Sequence, residues 1–312
     1  MKGNGSVHTI DATRDGQRID NFLFTRLKGV PKGLIYRLLR TGKIRVNGKR
    51  VKQTYRLQEE DEVIIPDIRV SGSAAPVIGE EVKQRITEAF IYEDENILAG
   101  LAVHPGSRVA YGVIEVLRAI RPDAPYLELV HRLDRETSGC LLIAKTKHSL
   151  NALHELLRNS ATDNNDVEKS YFLLVKGEWD LGKKEVNTPI QSKGPNSEAD
   201  EQNNLWKDAL TIFHPVEFFK GFTLLNAQIK TGRTHQIRLH AAQIGFPIVG
   251  DTKHGDFAFN RECRKKGFKR MFLHAAEISY QLPNASQRIA VSAPMDDELM
   301  VFIEGLDSRK EH

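Results

Sequence analysis

The sequence predicts an α+β protein in two parts: a small basic module, then a larger domain on a mixed sheet. Three observations predict it. The chain has 312 residues, enough for about two domains of ~100–200 residues. Its positive charge is concentrated: residues 18–56 hold twelve Lys and Arg against Asp20 alone, while the whole chain nets only +4. Strand-like runs and helical periodicities alternate beyond residue 90, with no internal repeat. Hydrophobic content of 40% and charged content of 28% fit a folded chain with a sizeable core.

The basic module is placed at 1–67, with its core at 18–66. A helix is expected over 18–27, with Ile19, Phe22, Leu23 and Leu27 inward. Pro31 suits the first position of a second helix, where its missing N–H costs nothing. Leu34, Ile35, Leu38 and Leu39 then form an apolar stripe, and Gly42 stops the helix. Ile44 and Val46 alternate with Lys43 and Arg45 as a strand. Asn47-Gly48 is a strong hairpin-turn signal, and Lys49-Arg50-Val51-Lys52 is expected to run back from it. Asp61 and Glu62 lead into a last strand, Val63-Ile64-Ile65. So basic a segment calls for a polyanionic partner, nucleic acid being the usual one. Its candidate contacts are Lys32, Arg37, Arg40, Lys43, Arg45, Lys49 and Arg50.

A linker is expected over 68–86, small and turn-rich around Ser71-Gly72-Ser73, and the larger domain over 87–312. Strands are expected at 90–92, 127–130, 140–144, 171–175, 222–229 and 288–291. Helices are expected at 112–120, 149–157 and 234–244. The polar stretches 161–168 and 191–204 read as loops.

Several classes are excluded. No apolar run approaches the ~20 residues of a membrane span. The N-terminus has no apolar stretch behind its charge, so the protein reads as cytoplasmic. Two cysteines, Cys140 and Cys263, make no disulfide framework. His131-Arg132-Leu133-Asp134 has a kinase-like sound but lacks the glycine-rich loop and Asp-Phe-Gly. His235 and His240 have the wrong spacing for a zinc helix, and no metal is expected.

Two segments concentrate polar chemistry. In the first, 129–145, an apolar strand enters a charged turn and another apolar strand leaves. Asp134 on that turn is either a functional carboxylate or an ion-pair partner of Arg132 or Arg135. In the second, 230–240, Thr231 or Thr234 can cap a helix bearing Ile237, Ala241 and Ile244. Arg233 then stands at a helix N-terminus, where an anion is favoured: a phosphate, or a carboxylate such as Asp134.

Both parts resemble known families. Arg18-Ile19-Asp20-Asn21-Phe22-Leu23 and Gly42-Lys43-Ile44-Arg45-Val46-Asn47-Gly48-Lys49 resemble an S4 RNA-binding domain. His131-Arg132-Leu133-Asp134, with Thr137-Ser138-Gly139, resembles the signature of the RluA family of pseudouridine synthases. So does Thr231-Gly232-Arg233-Thr234-His235-Gln236-Ile237-Arg238 with His240. Lys169-Ser170-Tyr171, Pro247-Ile248-Val249-Gly250-Asp251 and Phe272-Leu273-His274-Ala275 follow in the same family order. The resemblance implies a largely antiparallel sheet and isomerisation of uridine to pseudouridine in large-subunit ribosomal RNA, by a monomer. It implies Asp134 as the essential carboxylate, Arg233 as its basic partner and Tyr171 as the aromatic that stacks on the target base. It implies Leu273 in the pocket and Arg132 in the space vacated by a flipped nucleotide. No atoms are gained or lost in that reaction, so no cofactor is expected.

The chain departs from the family pattern once. Ile97-Leu98-Ala99 runs directly into Gly100-Leu101-Ala102-Val103-His104, without the short Lys-Pro stretch that usually intervenes. Because that stretch borders the cleft, reduced activity is expected.

Overall fold

The computed structural model describes residues 5–27, 30, 32–68, 78–102, 112–159, 166–192, 205–282 and 286–307. The chain divides into two compact units, 1–77 and 78–312.

In the first unit, α1 (Ile19–Arg26) and α2 (Lys32–Arg40) lie with β1 (Ser6–Thr9), β2 (Arg45–Val46) and β3 (Glu62–Ile65). The three strands form one antiparallel sheet, β3 in the centre. Ile19, Phe22, Leu23, Ile35, Leu38 and Leu39 bury against Ile44, Val46, Val63 and Ile65, as the helical spacing requires. Asn47 and Gly48 both have positive φ, 49° and 74°, the signature of the expected tight turn. The return arm differs from expectation. After one bridge between Val46 and Lys49, residues 49–52 form no strand, and β2 pairs with β3 instead. Asp61 explains the choice. Its buried carboxylate accepts from Asn47 Nδ2 at 2.7 Å, the Tyr55 hydroxyl and the Gln58 amide, so the turn is tied to the start of β3.

The second unit begins with α3 (Glu80–Glu88) where the sequence suggested a linker. Residues 69–77 of that expected linker lie outside the described residues. The helix forms because Ile78, Val82 and Ile86, spaced by four, bury against the core around Val116 and Leu117. There follow β4 (Phe90–Glu93), β5 (Ile97–Ala102), α4 (Val113–Ile120), β6 (Glu128–Leu129), β7 (Ser138–Ala144), α5 (Lys147–Asn159) and β8 (Val167–Lys176). Next come β9 (Lys184–Asn187), β10 (Ile190–Ser192), β11 (Leu205–Lys207), β12 (Leu210–Phe219), β13 (Phe222–Ile229) and α6 (Gln236–Gln243). The unit closes with α7 (Phe257–Lys265), β14 (Leu273–Tyr280), β15 (Ile289–Ser292) and α8 (Asp297–Glu304). Glu168 of the expected loop 161–168 belongs to β8, and Gln191 of the expected loop 191–204 belongs to β10. Residues 160–165 and 193–204 are outside the described residues.

Ten strands make one sheet, in the order β4-β5-β7-β14-β8-β13-β12-β9, with β15 added to β14 and β6 to β7. Only the β7–β14 contact is parallel. Alternate residues of β5 and β7 bury on opposite faces. Ile97, Cys140 and Leu142 meet Leu153 and Leu156 of α5, while Leu98, Leu141 and Ile143 meet α3 and α4. The other half repeats the plan: Leu173, Leu225 and Ala227 pack under Ile237 and Ala241 of α6. Leu174 and Leu224 pack toward Cys263 of α7 and Leu299 of α8. Among the described residues, no helix is long and apolar enough to cross a membrane.

Candidate active site

The charged turn is held where strands part. One edge of β7 pairs with β5 from Gly139 to Ala144. The opposite edge is divided: β14 takes Ser138 and Gly139, and β6 takes Ile143 and Ala144. The link from β6 to β7 turns in the gap between them and carries Asp134. Its entry is anchored by the Val130 amide on the Leu142 carbonyl, and by the Leu142 amide donating to His131 Nε2. Burial, aided by nearby Lys169, pushes His131 down to about 4, so the ring is neutral and able to accept. The Thr137 amide donates to the Asp134 carbonyl at 3.0 Å and closes a β-turn.

Its exit is fixed by a buried relay. Arg270 Nη1 donates to Asp296, Arg270 Nη2 to the Ser138 hydroxyl, that hydroxyl to His274 Nδ1, and His274 Nε2 to the Ala293 carbonyl. Gly139 has φ 109°, and a Cβ there would lie 2.2 Å from the Ala275 oxygen, so only glycine lets β7 approach β14 here.

A second loop faces the turn. It differs from the expected helix over 234–244: α6 starts at Gln236, and neither Thr231 nor Thr234 caps it. Instead the Gln236 side chain folds back. Its Oε1 accepts from the Thr231 hydroxyl and the Arg233 amide, and its Nε2 donates to the Leu210 carbonyl and Thr211 Oγ1. The loop is thereby pinned to β12. His235 takes up the resulting bend in the left-handed conformation, φ 56°, at a cost of about 1 kcal/mol for a non-glycine residue.

The electrostatic centre is Arg238, buried on the first turn of α6. Its Nη1 donates to Asp134 Oδ2 at 2.9 Å, while Nε and Nη2 grip both oxygens of Asp251 at 2.7 and 2.8 Å. Burial opposes ionisation of Asp251. The Arg238 hydrogen bonds and the amides of Lys253 and His254 outweigh it and hold the carboxyl below its usual range. This corrects the expected pairing. Arg233 does not hold Asp134; its Nε donates to the Asp208 carbonyl. The helical register explains the difference. Arg233 precedes the helix, whereas Arg238 projects from α6 beside Ile237 and Gln236, both buried.

Asp134, Tyr171, Leu273, Arg132 and Arg233 nevertheless line one cleft of about 130 Å³, with Ile229, Thr137 and Gly232–Arg238. Tyr171 stands on β8 with Ala227 of β13 and Ala275 of β14 as cross-strand neighbours, which leaves its ring room. A bulge in β14 between Ala275 and Glu277 interrupts the register beside it. Burial and the Asp134 charge push the Tyr171 hydroxyl well up, so it stays protonated. Arg132 is exposed at the cleft. The Thr137 hydroxyl is buried in the wall with no hydrogen-bond partner among the described residues. Burial pushes Lys169 down to about 8, and its ammonium lies 3.9 Å from where a Cβ on Gly232 would be.

In the first unit Arg37, Arg40, Lys43, Arg45, Lys49 and Arg50 are all exposed. Lys32 opens α2, and its side chain lies outside what is described. Sequence reasoning gave no role to Asp251, Gln236 or His235. The signal available for Asp251 was an acidic residue inside the Pro247–Gly255 run.

The second unit thus carries a cleft with a paired carboxylate, walled by an aromatic and an aliphatic side chain, and the first unit is a basic module of its own. Residues 99–243 match the RNA pseudouridylate synthase family, and residues 17–63 match the S4 domain. Ribosomal large subunit pseudouridine synthase C of Pasteurella multocida is 41% identical, over 97% of this chain and 94% of that protein. The synthase of the same name from Escherichia coli K12 is 43% identical over 96% of each, and that of Salmonella typhi 42% over 97% of each. The chain belongs to this family of pseudouridine synthases. Among solved structures, human RNA pseudouridylate synthase domain containing 4 superposes with a TM-score of 0.59. It covers 72% of this chain and 95% of its own, at 19% identity, and so supports the fold.

Proposed function

We propose that this synthase isomerises uridines in large-subunit ribosomal RNA, in the cytoplasm and as a monomer, with Asp134 as the catalytic carboxylate. The observation that carries the reading is the Arg238–Asp134 contact of 2.9 Å inside the cleft that Tyr171 and Leu273 wall. The guanidinium pairs with the carboxylate and fixes its direction. An oriented Asp134 carboxylate can attack C1′ of the target nucleotide, or take the C2′ proton on a glycal-like route. Either route breaks N1–C1′, lets the base rotate and joins C5 to C1′. A stacked base cannot reach the carboxylate, so it must be extruded; Tyr171 supplies a face for it to stack on and Leu273 an apolar wall. Arg132, exposed at the rim, fits the space the nucleotide leaves. Arg233, half-buried and free of the carboxylate, fits a phosphate at the mouth. The exposed Arg37, Arg40, Lys43, Arg45, Lys49 and Arg50, with Lys32, fit the phosphate backbone of a structured RNA.

A second reading, an RNA-binding factor with impaired catalysis, rests on the shortened stretch after Ala99. The experiment that tests the first reading maps pseudouridines in ribosomal RNA from cells with and without the protein. Sites present only with the protein, and lost when Asp134→Asn replaces it, are the expected result. Identical maps would support the second reading.

A further inference from the structure

Asp134 is committed elsewhere during half of the proposed chemistry, and a second proton acceptor stands beside it. On either route the carboxylate acts at the sugar, and one of its oxygens is held by Arg238. Yet the reaction has a later proton step. Once C5 has bonded to C1′, that carbon carries both its hydrogen and the sugar. The C5 proton must leave to restore the conjugated ring, and N1 must gain one, so no net proton is consumed.

His235 is built for that step. It lines the same cleft, and its Nε2 is 3.9 Å from Asp134 Oδ2, close to the reacting centre without being hydrogen-bonded to the carboxylate. Its Nδ1 is 3.0 Å from Nε2 of His254, so a proton on Nδ1 can be donated to that ring and leave His235 Nε2 as a lone pair. Among the described residues of the second unit it is the only non-glycine residue with positive φ. Strain of this kind concentrates where a side chain must be aimed. The charged groups facing it are Asp134, Arg238, Lys253 and His254. Burial and the last three lower its affinity for a proton more than Asp134 raises it, which keeps the ring neutral. His254 is likewise held low, by burial first, and its amide is tied to Asp251.

We propose that His235, through Nε2, is the base that removes the C5 proton after C5 has joined C1′, with His254 holding its Nδ1 proton. The proton then returns to N1 or leaves to water as the imidazole resets. This inference rests on Asp134 acting at the sugar.

The test is single-turnover conversion of a ribosomal RNA fragment carrying uridine or 5-deuterouridine, by the full-length protein. His235→Asn tolerates the left-handed backbone while removing the base. It should slow product formation by ~10²-fold and raise the deuterium isotope effect above the wild-type value. A merely structural residue would lower the rate and leave the isotope effect unchanged, and that result overturns the proposal, as does an unaltered rate. Should His235→Asn melt abnormally, His254→Asn provides the second arm. It keeps His235 but removes its partner, and should shift the pH profile of the deuterium-sensitive step; an unshifted profile again overturns the proposal. Product from Asp134→Asn would instead undo the reading on which this one rests, so the two failures are distinguishable.

Discussion

Arg238 holds two carboxylates at once: Asp134 with Nη1, and Asp251 with Nε and Nη2. The Asp251 pair is nearly closed to solvent, whereas Asp134 keeps 18% of its side-chain surface exposed to the cleft. Asp251 thus anchors the guanidinium, and the guanidinium aims Asp134. One carboxylate anchors the guanidinium and the other is left facing the cleft.

Asp134→Asn tests that division. It retains the shape and loses the charge and the nucleophile. Product formation in single turnover should fall below detection, while melting temperature and RNA affinity stay close to wild type. On this reading, affinity is expected to reside mainly in basic residues elsewhere. Product at an appreciable rate from a folded Asp134→Asn protein would remove the carboxylate from the mechanism.

His131 gives a pH prediction. In the native state its proton affinity sits at about 4 against the ordinary 6.5. The unfolded chain therefore binds a proton first as pH falls. The stability that neutral His131 contributes is complete above pH 6.5 and is lost progressively down to about pH 4. His131→Gln keeps an acceptor for the Leu142 amide and cannot titrate. Urea titrations at pH 7.5 and 4.5 should show wild type losing roughly 2 kcal/mol more than the variant. Parallel losses would place the acid sensitivity in other depressed imidazoles, such as the buried His240 and His274.

The basic module should dominate the salt dependence of RNA binding. Changing Arg40, Lys43, Lys49 and Arg50 to Gln removes four exposed charges. The slope of log affinity against log salt should flatten by about 3. Melting should be unaffected, because none of these side chains is buried. An unchanged slope would assign RNA affinity to the second unit.

The sequence exposed this layout unevenly. Helix α2 was legible because burial on one face writes itself into residue spacing, and β7 and β13 because they are short, mainly apolar runs. The turn bearing Asp134 was legible because charge stood between two apolar strands. By contrast β14, the strand that joins both halves of the sheet, was missed. Its Leu273–Tyr280 run is interrupted by His274, Glu277 and Ser279, so it shows neither a continuous apolar run nor a clean alternation. Helix α3 was missed because its three apolar contacts sit among seven charged or polar residues, in a stretch that opens on turn formers. The ion-pair partner of Asp134 was misassigned for a similar reason. Arg233 and Arg238 share one motif, and only the Gln236 fold-back decides that the helix begins after Arg233.

The shortened stretch after Ala99 yields a direct prediction. Strand β5 runs without interruption to Ala102, pairing Leu101 with Cys140 and Ala102 with Gly139. The strand pairing of β5 is therefore continuous across the shortened stretch. Inserting a Lys-Pro-containing stretch of family length after Ala99 should raise the single-turnover rate, with little change in melting temperature. Equal rates in the two proteins would show that the native, shorter connection is sufficient for catalysis.

Arg233 and Arg238 can be separated by experiment because they do different things. Arg238→Ala deletes the partner of two carboxylates, one of them buried. It should destabilise the protein by about 3 kcal/mol through the unpaired Asp251 charge, and abolish turnover. Arg238→Lys restores charge but not the fork that spans both acids, and should recover stability in part and activity little. Arg233→Ala removes a side chain whose Nε donates to the Asp208 carbonyl. It should leave the melting temperature within a degree or two, weaken RNA binding several-fold, and change turnover at saturating RNA far less than Arg238→Ala does. Measuring rate against RNA concentration for the three variants decides the matter. A Arg233→Ala protein that binds RNA normally yet fails to turn over would return Arg233 to the side of Asp134, as a partner recruited only when substrate is present.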